Sequence, residues 1–93
     1  MTLKFTVHPG RILREEFMEP MGLSPIALAR HIDVPRTRIE RLVREETAMT
    51  VDTATRLAAA FKTSAAFWMN LQIAYDLRTA PPVKGIRPIP VPA

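Results

Sequence analysis

The sequence contains no cysteine and only three glycines among its 93 residues. The missing cysteine excludes a disulfide framework and any cysteine-based zinc site. No apolar run approaches the ~20 residues that a membrane span needs. The first residues also lack the apolar segment of a signal peptide. Together these absences predict a cytoplasmic protein with no membrane partner.

Residues arranged for catalysis are equally scarce. There is no G-x-S-x-G segment and no phosphate-binding glycine loop. His8 and His31 are far apart and lack metal-ligand spacing, which favours solvated or capping roles. Glu15 and Glu16 would point about 100° apart on a helix, which favours a salt-bridged surface over acid–base chemistry. We therefore expect no enzymatic activity, no metal and no cofactor.

The composition favours one small helical domain with an anionic partner. Hydrophobic residues make up 47% of the chain, which is enough for a small core. The net charge is +4 and the isoelectric point is about 10.4. A basic surplus favours an anionic partner but does not identify it.

Residues 23–43 contain the most informative pattern in the chain. Ser24 followed by Pro25 combines an N-cap residue with proline at the first helical position. Asp33 interrupts the apolar pattern and tolerates turn conformations, and Pro35 suits the first turn of a second helix. The stretch therefore predicts helix, tight turn, helix. The apolar faces of the two helices are Leu28, Ala29 and Ile32, and Ile39, Leu42 and Val43.

The second of these helices has a basic face. In a helix-turn-helix, the first residues of the second helix reach base edges in the major groove. Arginine can pair bidentately with guanine there, or bind phosphate. A solvated, arginine-rich face is the alternative, but Glu40 is the only acid among the basic residues. The candidate DNA-binding residues are Arg36, Thr37, Arg38 and Arg41, with Arg30 and Arg44 as further backbone contacts.

Patterns on either side complete the domain. Residues 1–7 alternate between apolar and polar and predict a short extended arm. A first helix begins near Pro9 and ends at about Gly22. A fourth helix is capped by Thr50 or Asp52. The predicted inner faces of these helices are Leu13, Phe17 and Met21, and Val51, Ala54, Leu57, Ala58 and Phe61.

The last helix begins at the capping residue Ser64 and reaches about Arg78. It is apolar on more than one side, which indicates a central helix or a subunit interface. We predict a dimer surface with Trp68 and Tyr75 as its anchors. The alternative is that Trp68 closes the core of a monomer. The predicted interface residues are Phe67, Trp68, Leu71 and Tyr75.

Proline dominates the C-terminal end. Five of the nine prolines follow Ala80, so residues 79–93 are predicted to form an extended, polyproline-like tail. The domain boundaries are therefore 1–7 for the arm, 8–78 for the helix-turn-helix domain and 79–93 for the tail.

Two blocks of residues resemble a known family. They are His-Pro-Gly-Arg-Ile-Leu-Arg-Glu-Glu-Phe at 8–17 and Phe-Trp-Met-Asn-Leu-Gln at 67–72, the latter followed by Tyr-Asp-Leu at 75–77. Over roughly residues 8–78 the chain resembles the HigA-type antitoxins of bacterial toxin–antitoxin pairs, within the XRE/Cro-like helix-turn-helix group.

This resemblance implies an all-α, five-helix fold like that of Cro and lambda repressor. It implies a homodimer that binds the palindromic operator of its own operon on double-stranded DNA and represses transcription. It also implies a RelE-like, mRNA-cleaving toxin as protein partner. By position, Ser24 matches a phosphate-contacting cap, and Arg36, Thr37, Arg38 and Arg41 match the recognition helix. A stand-alone XRE-type regulator, or a helical module that binds only a protein partner, are the alternatives.

The chain departs from the family pattern at three places. The family commonly has glutamine directly after the Ser24 position, whereas here Pro25 removes a side-chain phosphate contact. Asp33 replaces the usual turn glycine. After Val43 the family usually reads Asn-Gly followed by basic residues, whereas here Arg44 is followed by Glu45, Glu46 and Thr47. Two acids near the DNA backbone would repel phosphate.

Overall fold

The computed structural model describes residues 7–92, and within that range the chain is helical without any β-strand. The first helix, α1, continues directly into a π-helical segment, and four more helices follow. Their bounds are α1 Pro9–Ile12, the π-helical segment Leu13–Met18, α2 Pro25–His31, α3 Arg36–Val43, α4 Val51–Phe61 and α5 Ala65–Thr79. The predicted all-α, five-helix fold is confirmed. Most of the predicted arm, residues 1–6, lies outside the described residues.

Hydroxyl side chains begin three of the helices, as their sequence positions predict. Ser24 Oγ accepts the Ala27 backbone N–H at 3.1 Å. Thr50, not Asp52, caps α4, and Ser64 caps α5 by accepting the Phe67 backbone N–H at 3.0 Å. Each hydroxyl satisfies an N–H group that has no partner within its helix. Pro35 is the N-cap of α3 and precedes its first turn.

Four helix ends turn through a residue in the left-handed conformation. Only one of these residues is a glycine, Gly22 at φ 61°. Asp33, Glu45 and Lys62 adopt φ values of 59°, 63° and 56°. After Asp33, the Val34 N–H bonds back to Ala29 O at 3.0 Å, which closes the end of α2. Asp33 therefore makes the turn between α2 and α3, as its place in the sequence predicts.

The π-helical segment changes which residues of the first helix are buried. Leu13 and Met18, five positions apart, are 0% and 3% exposed, whereas Met21 is 66% exposed. A π-helix bonds each residue to the fifth one along, so the inward face moves beyond the α-helical spacing. The predicted inner position of Met21 is therefore wrong, and Met18 occupies the core instead. Val51 is also exposed, because it begins α4 at the edge of the core.

In the core, α5 packs against α4 and α1, and Trp68 is the largest fully buried side chain among residues 7–92. The Trp68 side chain is completely buried, and its Nε1–H donates to Thr63 Oγ1 at 2.8 Å. Its ring packs against Phe17, with 5.0 Å between ring centroids, and against Phe67, with 4.9 Å. Trp68 therefore has no surface to offer a second copy. Its predicted place in a dimer interface is wrong, and the alternative, closure of the monomer's core, is the one observed.

The C-terminal end leaves this core. α5 extends one residue past the predicted boundary, to Thr79, and residues 80–92 are exposed and contain neither helix nor strand. Their apolar side chains are open to solvent, with Ile86 77% and Ile89 89% exposed. No helix between residues 7 and 92 has the length and apolar character that a membrane span requires.

Candidate nucleic-acid interface

The helix-turn-helix unit holds α3 by its apolar side. Leu28 of α2 is 1% exposed, and Ile39 and Leu42 of α3 are 0% and 2% exposed. These residues fix the rotation of α3 about its axis, because its apolar positions are all turned into the core. The polar side of α3 consequently faces outward, in one orientation.

The outward side of α3 carries the predicted basic residues. Arg36, Thr37, Arg38, Arg41 and Arg44 are all exposed. Arg36 Nε lies 3.9 Å from Glu40 Oε1, one helical turn away, and Glu40 is only partly exposed. The surface of α3 is therefore dominated by positive charge.

Not all of the predicted residues lie together. Thr37, Arg38 and Arg41 line one groove of about 570 Å³ between α3 and the beginning of α4. Arg36 and Arg44 lie at the two ends of α3 and do not line this groove. Ser24 and Arg30 also lie outside the groove, and they are exposed at the first and last turns of α2.

An ion-pair network that was not among the sequence-based predictions lies beside this groove. Arg38 Nη1 lies 2.5 Å from Asp52 Oδ2, and Arg56 Nε lies 3.2 Å from the same carboxylate. The hydrogen bond from Arg38, and secondly that from Arg56, hold the pKa of Asp52 below its usual value. Asp52 and Arg56 are four residues apart on one helix, a spacing that predicts an ion pair between them. Arg38 and Asp52 are 14 residues apart and meet only through the fold.

The block that begins with His-Pro-Gly packs against the C-terminal end of α3. His8 is buried, and its Nδ1 caps α1 by accepting the Gly10 N–H at 2.9 Å. A Cβ atom at Gly10 would lie 1.8 Å from the Leu42 carbonyl oxygen, so only glycine fits there. Arg14 Nη1 donates to Val43 O at 2.6 Å. The block therefore fixes the C-terminal end of α3. It also makes His8 a capping residue, one of the two roles expected.

The second block of resembling residues supports the loop that follows α3. Gln72 is buried, and its Oε1 accepts the Met49 N–H at 2.6 Å while its Nε2 donates to Asp76 Oδ1 at 2.9 Å. Tyr75 is half-buried, and its ring meets the His8 ring edge-on, with 4.9 Å between centroids. These residues therefore make contacts within the chain, and His8 covers part of the Tyr75 ring.

The exposed apolar side chains of α5 are different from the anchors predicted. Phe67 is 38% exposed, Ile73 52% and Leu77 76%. Ile73, which the sequence analysis did not single out, lies one turn before Leu77 on the same face. Leu71 is half-buried. Across residues 7–92 no group of three or more histidine and acidic side chains could hold a metal ion.

Comparison with known proteins identifies the family. The helix-turn-helix family HTH_3 matches residues 15–68, which is more than half of the chain. The chain belongs to the helix-turn-helix family. A similar protein is the Virulence-associated protein I of Dichelobacter nodosus, which is 51% identical over 74 residues that cover 80% of this chain and 68% of that protein.

Its relatives in this helix-turn-helix family include HigA antitoxins. Antitoxin HigA-1 of Vibrio cholerae is 38% identical over 76 residues, which cover 82% of this chain and 71% of that protein. A similar solved structure is that of Pseudomonas aeruginosa antitoxin HigA with the higBA promoter. Its chain is 47% identical in sequence to this one and superposes with a TM-score of 0.80, and the match covers 82% of this chain and 83% of that one. The resemblance to HigA-type antitoxins is confirmed.

Proposed function

We propose that this chain is a DNA-binding antitoxin that represses its own operon as a dimer and neutralises a RelE-like, mRNA-cleaving toxin. The observation that carries the proposal is the basic, exposed side of α3 in a helix-turn-helix unit. The match to the Pseudomonas aeruginosa antitoxin HigA, whose structure includes the higBA promoter, supports the same assignment.

The DNA-binding step uses the outward residues of α3. Arg36, Arg38 and Arg41 provide three guanidinium groups that bind guanine edges or phosphates. Arg30 and Arg44 add backbone contacts at the flanks. Ser24 Oγ already accepts the Ala27 N–H, and its hydroxyl hydrogen remains able to donate to a phosphate oxygen.

Fluorescence anisotropy on a labelled duplex from upstream of the gene tests this step. We expect Arg36→Ala combined with Arg41→Ala to weaken binding about a hundredfold, since each arginine contact contributes roughly 1–3 kcal/mol. Lys84→Ala combined with Arg87→Ala removes the same charge from the exposed tail and is the control. Equal losses in the two double variants would show that net charge, and not α3, binds the DNA.

The dimer step uses the exposed apolar side of α5. Helix-turn-helix proteins commonly bind two-fold operators as dimers. With Trp68 buried, the most exposed apolar side chains of α5 are Phe67, Ile73 and Leu77, whereas Leu71 and Tyr75 are half-buried and point away from Ile73. This set replaces Trp68 with Ile73 and Leu77 in the interface that we propose.

Sedimentation equilibrium tests the dimer. We expect Ile73→Lys combined with Leu77→Lys to leave a folded monomer that binds the upstream duplex weakly. Ile86→Lys combined with Ile89→Lys adds the same charge to the tail and should leave association unchanged. A dimer of wild-type strength in the α5 variant would place the interface elsewhere.

The toxin step rests on the family and needs a separate test. Co-expression with an adjacent reading frame of toxin size should relieve the growth arrest that this frame causes when expressed alone. A second function, a module that binds only a protein partner, is favoured by Glu45 and Glu46, which are exposed directly after α3. Relief of arrest by a chain that binds no DNA would select that function.

A further inference from the structure

Asp52, the second residue of α4, holds the guanidinium group of Arg38 on the outward side of α3. Arg38 Nη1 donates to Asp52 Oδ2 at 2.5 Å. The two side chains are 40% and 56% exposed, and both residues line the groove between α3 and α4. The contact therefore lies on the surface proposed to meet DNA, and it fixes Arg38 from outside its own helix.

Asp52 is itself held in place. Arg56 Nε lies 3.2 Å from both carboxylate oxygens of Asp52. The Nη1 atom of Arg56 donates to Ile32 O at 2.8 Å, just before the turn between α2 and α3. A continuous set of contacts thus connects the turn of the helix-turn-helix to Arg56, Asp52 and finally Arg38.

This arrangement suits an arginine that reads a base. The guanidinium group is a planar fork with five N–H donors, and Asp52 uses one edge of it and leaves the others available. Bidentate pairing with guanine needs the fork in one plane and one direction. An arginine that is already oriented loses less rotamer freedom on binding than a mobile one.

We propose that Asp52, held by Arg56, is a positioning residue that orients the Arg38 guanidinium for a base-specific contact in the major groove. The inference rests on the DNA-binding function proposed above. A surface ion pair contributes little to stability by itself. We therefore expect the ion pair between Asp52 and Arg38 to affect sequence discrimination.

The test measures discrimination, using anisotropy on the labelled upstream duplex and on a panel of duplexes that each have one base pair changed. We expect Arg38→Ala to lower discrimination about tenfold at one base-pair position in each half-site. Asp52→Asn should lower discrimination at that same position. In the Arg38→Ala background, Asp52→Asn should change it no further, because the residue acts through Arg38.

Two further variants serve as a control and as a second test. Glu16→Gln removes an exposed acid from the π-helical segment, changes the net charge equally and should leave discrimination at wild-type values. Arg56→Gln releases Asp52 from the turn and should lower discrimination at the Arg38 position to a smaller degree. It provides a second test if Asp52→Asn fails to fold by circular dichroism.

Three results would overturn the inference. Tighter binding of Asp52→Asn to every duplex, with discrimination retained, would mean that Asp52 only competes with DNA for Arg38. A lower melting temperature with discrimination retained would mean a structural role. Equal binding of the wild type to upstream and scrambled duplexes would overturn the proposed function as well, whereas the first two results leave that function standing.

Discussion

The α-carbon of Gly10 lies so close to the Leu42 carbonyl oxygen that a Cβ atom there would be only 1.8 Å away. The contact joins the first turn of α1 to the last turn of α3. It gives the glycine of the His-Pro-Gly block a steric role, and it links a motif at the start of the chain to the placement of the recognition helix.

A methyl group at Gly10 should therefore push these two helices apart. We expect Gly10→Ala to lower the free energy of unfolding by roughly 3 kcal/mol, because a backbone carbonyl cannot move aside as a side chain can. Urea denaturation followed by circular dichroism measures the change. Val83→Ala, in the exposed tail, is the control. A Gly10→Ala protein as stable as the control would contradict the packing of α1 on α3.

Stability should depend on pH through His8. Burial lowers the pKa of His8 below its ordinary value of 6.5, against the raising effect of Glu45 and Asp76. As the pH falls below 6.5, the unfolded chain takes up a proton first, so the free energy of unfolding decreases; above 6.5 it is fully retained. Protonation also removes the Nδ1 acceptor that caps α1.

Urea denaturation at pH 7.5 and pH 5.5 measures this dependence. The variant His8→Asn retains a capping acceptor but does not titrate, so its stability should differ less between the two pH values. His31→Asn removes the exposed histidine and should retain the wild-type difference. An identical pH dependence in His8→Asn and wild type would show that another group is responsible.

Trp68 should be needed for folding and not for association. We expect Trp68→Ala to lower the free energy of unfolding by about 3–5 kcal/mol, because it leaves a large cavity in the core. Chemical denaturation at fixed protein concentration tests this. Unchanged stability together with a lost dimer would return Trp68 to the interface.

Replacing Glu45 with glycine should stabilise the chain. Glu45 adopts φ 63°, which side chains adopt at a cost and glycine adopts freely. We expect a gain of roughly 0.5–1 kcal/mol for Glu45→Gly after the entropy of the more flexible unfolded chain is counted. Glu46→Gln removes the same charge without changing a left-handed residue and should leave stability unaltered. A loss of stability in Glu45→Gly would mean that the Glu45 side chain makes a stabilising contact.

The parts of the fold that sequence predicted well are those that local chemistry determines. Ser24, Thr50 and Ser64 cap helices because their hydroxyls reach an N–H three residues on, and Asp33 turns the chain because it tolerates a positive φ. The outward face of α3 followed from the spacing of Ile39 and Leu42.

The errors arose where tertiary packing decides. The π-helical segment put Met18 in the core and left Met21 outside, which an α-helical period does not foresee. Trp68 looked like an interface residue because its helix has two apolar stripes, but the fold buries it. The contact between Arg38 and Asp52 joins two helices that nothing in their local sequence connects.

Sequence-specific binding is tested most directly by a salt series of wild-type anisotropy on the upstream duplex and on a scrambled duplex of equal length. We expect the chain to prefer the upstream duplex by at least about a thousandfold at physiological salt, with an affinity that falls steeply as salt rises. Weak and equal binding to both duplexes would contradict this expectation, because the arginines of α3 would then attract DNA by charge without reading its sequence.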